Sequence, residues 1–250
     1  YRIEAAPGGS IVIQVRSEAD RADGYLLRTR LIAPGDSVST RQDFVLPRGV
    51  LVKGRVTDAD TGRPVAGAVV WHQAHSRNNA YFIKDATARM SGEEQQGFTA
   101  ADGSFQLAVI PGPGYLLVRG PTADYLHEEI SNVDLHGQLI WPNARNYPDA
   151  LKKIAPKPGE GPLEVQFSLR RGATVTGRLV GSDGQSVPEA VLFSRWYLGK
   201  RGITVNHTQA LLPLREGRFE MRGCDPTASA PVFFLDAKSQ RGAMVEISGN

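Results

Sequence analysis

The chain repeats itself. "FVLPRGVLVKGRVTDADTGRPVAGAVV", beginning at Phe44, aligns with "FSLRRGATVTGRLVGSDGQSVPEAVL", beginning at Phe167, at a spacing of 123 residues until one residue is dropped in the turn. Gly49 falls on Gly172, Gly54 on Gly177 and Val69 on Val191. Further along, "DGSFQL" (Asp102 to Leu107) falls on "EGRFEM" (Glu216 to Met221), and "YLLV" (Tyr115 to Val118) on "VFFL" (Val232 to Leu235). The period is that of a whole domain. The 250 residues therefore divide into a complete unit over 48–167 and a second, C-terminally truncated unit over 168–250. Residues 1–47 read as the tail of a preceding copy, because "IVIQV" (Ile11 to Val15) runs through a connection into "DFVL". The second copy reaches Asn250 before any strand corresponding to "EVQFSL" (Glu164 to Leu169).

Within each copy the apolar residues alternate, which predicts strands. Val50, Val52, Gly54 and Val56 share one face, and Leu51, Lys53 and Arg55 the other. "DADTGRP" then supplies short polar side chains that bond nearby backbone, a glycine for a positive φ and a proline that stops pairing. "GAVVW", "DGSFQLAV" and "PGPGYLLVRG" read as further strands and their turns. No stretch has convincing helical periodicity, although "NYPDALKKI" could form a turn or two of helix. The 27 glycines and 16 prolines agree with a turn-rich all-β chain.

Charge and cysteine content narrow the chemistry. With 29 basic against 26 acidic residues the chain lacks a polyanion-binding footprint, so nucleic acid is not expected as a partner. A single cysteine, Cys224, excludes an intrachain disulfide and a multi-cysteine metal site. No apolar run is long enough to suggest insertion in a membrane.

"GRVTDADTGRPVAGAVV" followed by "TAADGSFQLAVIPGPGYLLVRG" resembles the carboxypeptidase regulatory-like domain family, with its G-x-V-x-D opening, G-x-P-x-x-G-A-x-V continuation, D-G-x-F hairpin and P-x-G-x-Y strand. The second copy departs from the pattern where Asp58 becomes Gly181 and Pro64 becomes Ser186. The resemblance implies tandem transthyretin-like (Ig-like) seven-stranded β-sandwich modules, non-catalytic accessories that recur in large bacterial proteins. It also implies an extracellular or periplasmic setting.

Candidate sites are few. Asp58, Asp60 and Gly62 could open a calcium loop, but Val69 stands where a bidentate glutamate is needed, so a bend is expected and no cofactor or metal. His72 and His75, three apart on a strand, face opposite sides and read as surface or loop histidines. Cys224 has no histidine beside it and reads as a small, partly buried residue. No catalytic residues emerge, and hydrolase, peptidase or redox activity is not expected. Trp71, Tyr81, Trp141, Tyr147, Trp196 and Tyr197 remain, on or beyond strand ends. They could stack on a polysaccharide as a carbohydrate-binding module does, or pack as covers and partner contacts in a structural spacer or protein-interaction module. The spacer is the favoured reading, and it makes the neighbouring domains of a parent chain the first partners. In it Trp141 and Tyr147 are at least partly buried against their own module.

Overall fold

The structure, a computed structural model, describes residues 10–15, 24–26, 28–32, 41, 43–82, 96–139, 142, 144–194 and 211–249. In chain order the elements begin with an antiparallel pair, β1 (Ile11–Val15) and β2 (Arg28–Ile32). Then follow β3 (Val50–Asp58), β4 (Val69–Ala74), β5 (Gln96–Phe98), β6 (Ser104–Val109) and β7 (Gly114–Arg119). An excursion carries β8 (Ile130–Ser131), α1 (Asn132–His136) and β9 (Arg145–Asn146) before β10 (Ala150–Ile154) and β11 (Leu163–Leu169). The last group is β12 (Ala173–Arg178), β13 (Val191–Phe193), β14 (Leu211–Pro213), β15 (Arg218–Cys224), β16 (Ser229–Asp236) and β17 (Arg241–Ser248).

The protein is an all-β sandwich fold. In the first unit the sheet β11-β3-β6 faces the sheet β10-β7-β4-β5. Val52, Val56, Phe105, Leu107, Val165 and Phe167 from one sheet close on Val70, Leu116, Val118, Ala150 and Ile154 from the other. The alternation read from the sequence is the observed one, with Val50, Val52 and Val56 wholly buried and Lys53 and Arg55 turned outward. Gly54 sits among the valines because a Cβ there would lie 2.1 Å from the Val165 carbonyl and 2.6 Å from the Phe105 ring. β11 returns parallel to β3, Leu163 beside Val52 and Leu169 beside Asp58, so this unit's last strand lies against its first.

The second unit repeats the layout, with β12-β15 facing β14-β13-β16-β17. Ala190, Leu192, Met221, Cys224, Val232 and Phe234 fill its core. Among the described residues nothing takes the place of β11, and β12 has a neighbour on one edge only.

The structure corrects two local expectations. "NYPDALKKI" forms no helix: Asn146 ends β9, and Ala150–Ile154 is β10, paired antiparallel with β7. Its ends, Ala150 and Ile154, reach the core while Lys152 and Lys153 stay exposed, so sheet pairing overrides local preference. Helix occurs instead at α1, five residues long, which Ser131 caps by accepting the Asp134 N–H and Gly137 ends at φ +65°.

Candidate interaction site at the module junction

The site begins at the bend after β3. One Asp58 oxygen accepts the backbone N–H groups of Asp60 (3.2 Å) and Thr61 (3.0 Å) and the Thr61 hydroxyl (2.9 Å), which folds "DADTG" over with Gly62 at φ +66°. The other oxygen accepts Nε of Arg171 at 2.8 Å, from the short link between β11 and β12. The bend is therefore a turn whose carboxylate also holds the neighbouring unit. Burial alone would raise the Asp58 carboxyl, which is 4 % exposed, but the Arg171 and Thr61 donors outweigh it and hold it below the usual carboxylate range.

Tyr125, from the excursion, completes the lock. Its backbone bridges Arg171, with Leu126 N–H donating to the Arg170 carbonyl at 2.9 Å and Gly172 N–H to the Asp124 carbonyl at 2.8 Å. The Arg171 guanidinium lies 5.1 Å from the centre of the buried Tyr125 ring, and Nη2 donates to the hydroxyl at 3.4 Å. Asp124 draws in Arg171 at 3.8 Å and Arg222 of β15 at 3.5 Å. The second unit closes on the same segment at Gly223, φ +70°, where a Cβ would lie 2.7 Å from the Ala123 carbonyl and 2.6 Å from that of Tyr125.

The ring and backbone part of the arrangement occurs twice. Ahead of β3, Tyr25 bridges Arg48, Leu26 N–H donates to the Pro47 carbonyl at 2.9 Å and Gly49 N–H to the Gly24 carbonyl at 2.7 Å. The Arg48 guanidinium is 5.0 Å from the Tyr25 ring and donates to its hydroxyl at 3.4 Å. Sequence reasoning took in both Arg-Gly pairs but missed the tyrosines. The excursion alters the Tyr-to-Arg spacing, so a fixed offset cannot find them; the shared dipeptides Tyr25-Leu26 and Tyr125-Leu126 could have.

The six aromatic candidates do not come together in the described part of the fold. Trp71 is buried with Leu117, Ile130 and Leu135 beneath the excursion. Tyr81 is 51 % exposed and Tyr147 half-buried, while Trp141, Trp196 and Tyr197 lie outside the described residues. An open groove of about 730 Å³ runs past Lys53, Arg55, Phe98, Gln106 and Glu164, and none of the six lines it. His72 departs from the expected surface position. Because β4 is covered on both faces, it is 2 % exposed, its Nε2 has no partner, and burial with the charge of nearby His75 lowers its pKa to about 3. Cys224 is fully buried, which raises its thiol pKa. No group of metal-ligating side chains occurs among the described residues.

No protein-family model matches the chain, and a search of curated proteins finds no match. Among solved structures it is similar to a streptococcal ancillary pilin, at 13 % identity and a TM-score of 0.38 over 96 % of this chain and 72 % of that one. It is also similar to the shaft pilin SpaA from Lactobacillus rhamnosus GG, at 12 % identity and a TM-score of 0.29, over 81 % of this chain and 93 % of that one. A third likeness is to BcpA, the major pilin subunit of Bacillus cereus, at 11 % identity and a TM-score of 0.22, over 80 % and 67 % of the two chains.

Proposed function

We propose that the chain is a run of non-catalytic β-sandwich modules of the carboxypeptidase regulatory-like kind, and that it works as a structural spacer holding its neighbours at a fixed separation and angle. Its divisions are the tail of one module over 1–47, a complete module over 48–167 and a third over 168–250. The observation that carries this reading is the recurrence of one lock, Tyr125 with Arg171 and Tyr25 with Arg48, at two successive junctions. A flexible linker has no use for a guanidinium held by a phenol ring and backbone bridges at once. The glycan-binding alternative is less well supported, since of the six rings named for it Trp71 is in the core and Tyr81 alone is more than half exposed among the described residues.

Spin labels at Lys152→Cys and Lys238→Cys, in a Cys224→Ser background, would report the distance between the two units by pulsed electron resonance. A narrow distribution that broadens in the Tyr125→Ala, Arg171→Ala double variant is expected. A distribution equally broad with and without the lock would refute the spacer reading.

A further inference from the structure

The two units finish the outer face of their four-stranded sheets differently. In the first, Trp71 of β4, Leu117 of β7 and Leu151 of β10 stand side by side in one row, and Ile130 and Leu135 of the excursion lie over them. Trp71 and Leu117 are accordingly 6 % and 0 % exposed. The same row in the second unit is Phe193 of β13, Phe233 of β16 and Met244 of β17, extended by Leu211 of β14. Here β16 passes to β17 through a tight turn, so nothing stands where the excursion does, and Phe233 is 36 % and Met244 62 % exposed. Both strands that flank this turn are in place, so the bare face belongs to the unit itself.

The neighbouring rows are apolar too. Leu192, Val232 and Phe234 point into the core, so Val191, Pro231 and Leu235, which alternate with them, point outward. Glu246, opposite Pro231, is the one charged strand residue on this face. At the other end of β17 the face presents Gly242, opposite Leu235, with Arg241 next to it. We propose that this face packs on the same face of a second copy, about a two-fold axis that crosses the strands along the row Leu211, Phe193, Phe233 and Met244. Each β17 then runs antiparallel over its mate, with Met244 over Met244. Glu246 of one copy falls over Gly242 of the other, where the missing side chain leaves room and Arg241 stands beside it. A second copy therefore offers apolar rows to apolar rows and a base to the single acid, and this charge match singles it out as the occupant. With strands about 4.8 Å apart and rows about 7 Å apart, the face measures roughly 350 Å² per copy. That is at the low end for specific interfaces, so the pair forms reversibly, with a Kd on the order of tens of micromolar. The contact is isologous and closes at two copies.

This goes beyond the spacer reading and does not rest on it, since none of these residues takes part in the lock. Sedimentation equilibrium of the full chain, over concentrations that span the expected Kd, should show monomers and dimers and nothing longer. Met244→Asp, at an exposed position that the fold tolerates, sets like charges together and is expected to weaken pairing about tenfold or more. Glu246→Arg and Arg241→Glu do the same at the rim, and each is expected to weaken it about fivefold. Mixed in equal amounts, these last two are expected to pair one-to-one as tightly as wild type, because each supplies the charge that the other needs. Circular dichroism and the thermal midpoint check that every variant is folded. A wild type that stays monomeric, pairing untouched by Met244→Asp, or a mixture no tighter than its components would each overturn the proposal. Failure of the lock experiment with pairing intact would count against the spacer alone.

Discussion

Asp58 divides its two oxygens between a bend and a neighbour, and the two roles respond differently to substitution. Asp58→Asn can keep an oxygen on the Asp60 and Thr61 amides but gives up the charge that faces Arg171, whereas Asp58→Ala gives up both. Equilibrium urea unfolding is expected to show a loss of about 2–3 kcal/mol for alanine and about 1 kcal/mol for asparagine. Arg171 is half-exposed, so the ion pair itself is the smaller part. Protonation adds a second dependence. His72 titrates near 3 in the folded protein against 6.5 ordinarily, so the unfolded chain takes up the proton first. Its contribution is whole above pH 6.5 and is lost as the pH falls toward 3, with His75 and His136, also lowered by burial, acting in the same direction. The Asp58 carboxyl, held below 3.8, adds its loss only as the pH falls through that lower value. The urea midpoint of the wild type is therefore expected to drop between about pH 6.5 and pH 4, and His72→Leu is expected to flatten that drop. An unchanged slope in the variant would remove His72 from the account. The bend at Asp58 was legible in the sequence; the burial of His72 was not, because two histidines beside a strand end look the same whether a later segment covers them or not.

Among the elements, the excursion between β7 and β10 shows where sequence patterns stop informing. Its two ends are clamped by Asp149, 5 % exposed, which accepts the Gly120 N–H at 2.6 Å and contacts His127 Nδ1 at 2.6 Å. With that clamp closed, Ile130 and Leu135 lie over Trp71, Leu117 and Leu151 on the outer face of the four-stranded sheet. Of the strands beneath, β4 and β7 could be read from the repeat and the turns that bound them, although both are buried on each face, whereas β10 could not. The cover could not, since α1 is too short for a periodic signal and is fixed by a cap and by what lies below it. Trp71→Ala is expected to cost about 3–5 kcal/mol, as for a core aromatic. Asp149→Ala is expected to release the cover while leaving the sandwich folded. Limited proteolysis would then cut between Gly120 and Asp149 first, and protection equal to wild type would show that the clamp is dispensable.

Over the whole molecule the two units are unequal. The repeat made β12, β13, β15 and β16 legible from their spacing to β3, β4, β6 and β7. It could not show how the units meet, because Asp124 and Tyr125 come from the excursion, which one copy has and the other replaces with the tight turn between β16 and β17. Hydrogen exchange is expected to separate the units. The amides of Lys53 and Arg55, inside a three-stranded sheet, should be protected, and those of Thr176 and Arg178, on an edge that no strand meets among the described residues, should exchange at rates near those of exposed loops. Equal protection at the two pairs would mean that the edge of β12 is already occupied in solution.

The parallel return of β11 also decides how the first unit meets a pulling force. Because the chain comes in at Val50 and leaves at Leu169, beside Asp58, tension along the molecule draws β3 and β11 past one another lengthwise. Every bond of that seven-residue ladder is then loaded together, where a hairpin pulled from its open end would give way rung by rung. The unit is thus a clip loaded in shear, and the seam between its first and last strands sets the force at which it opens.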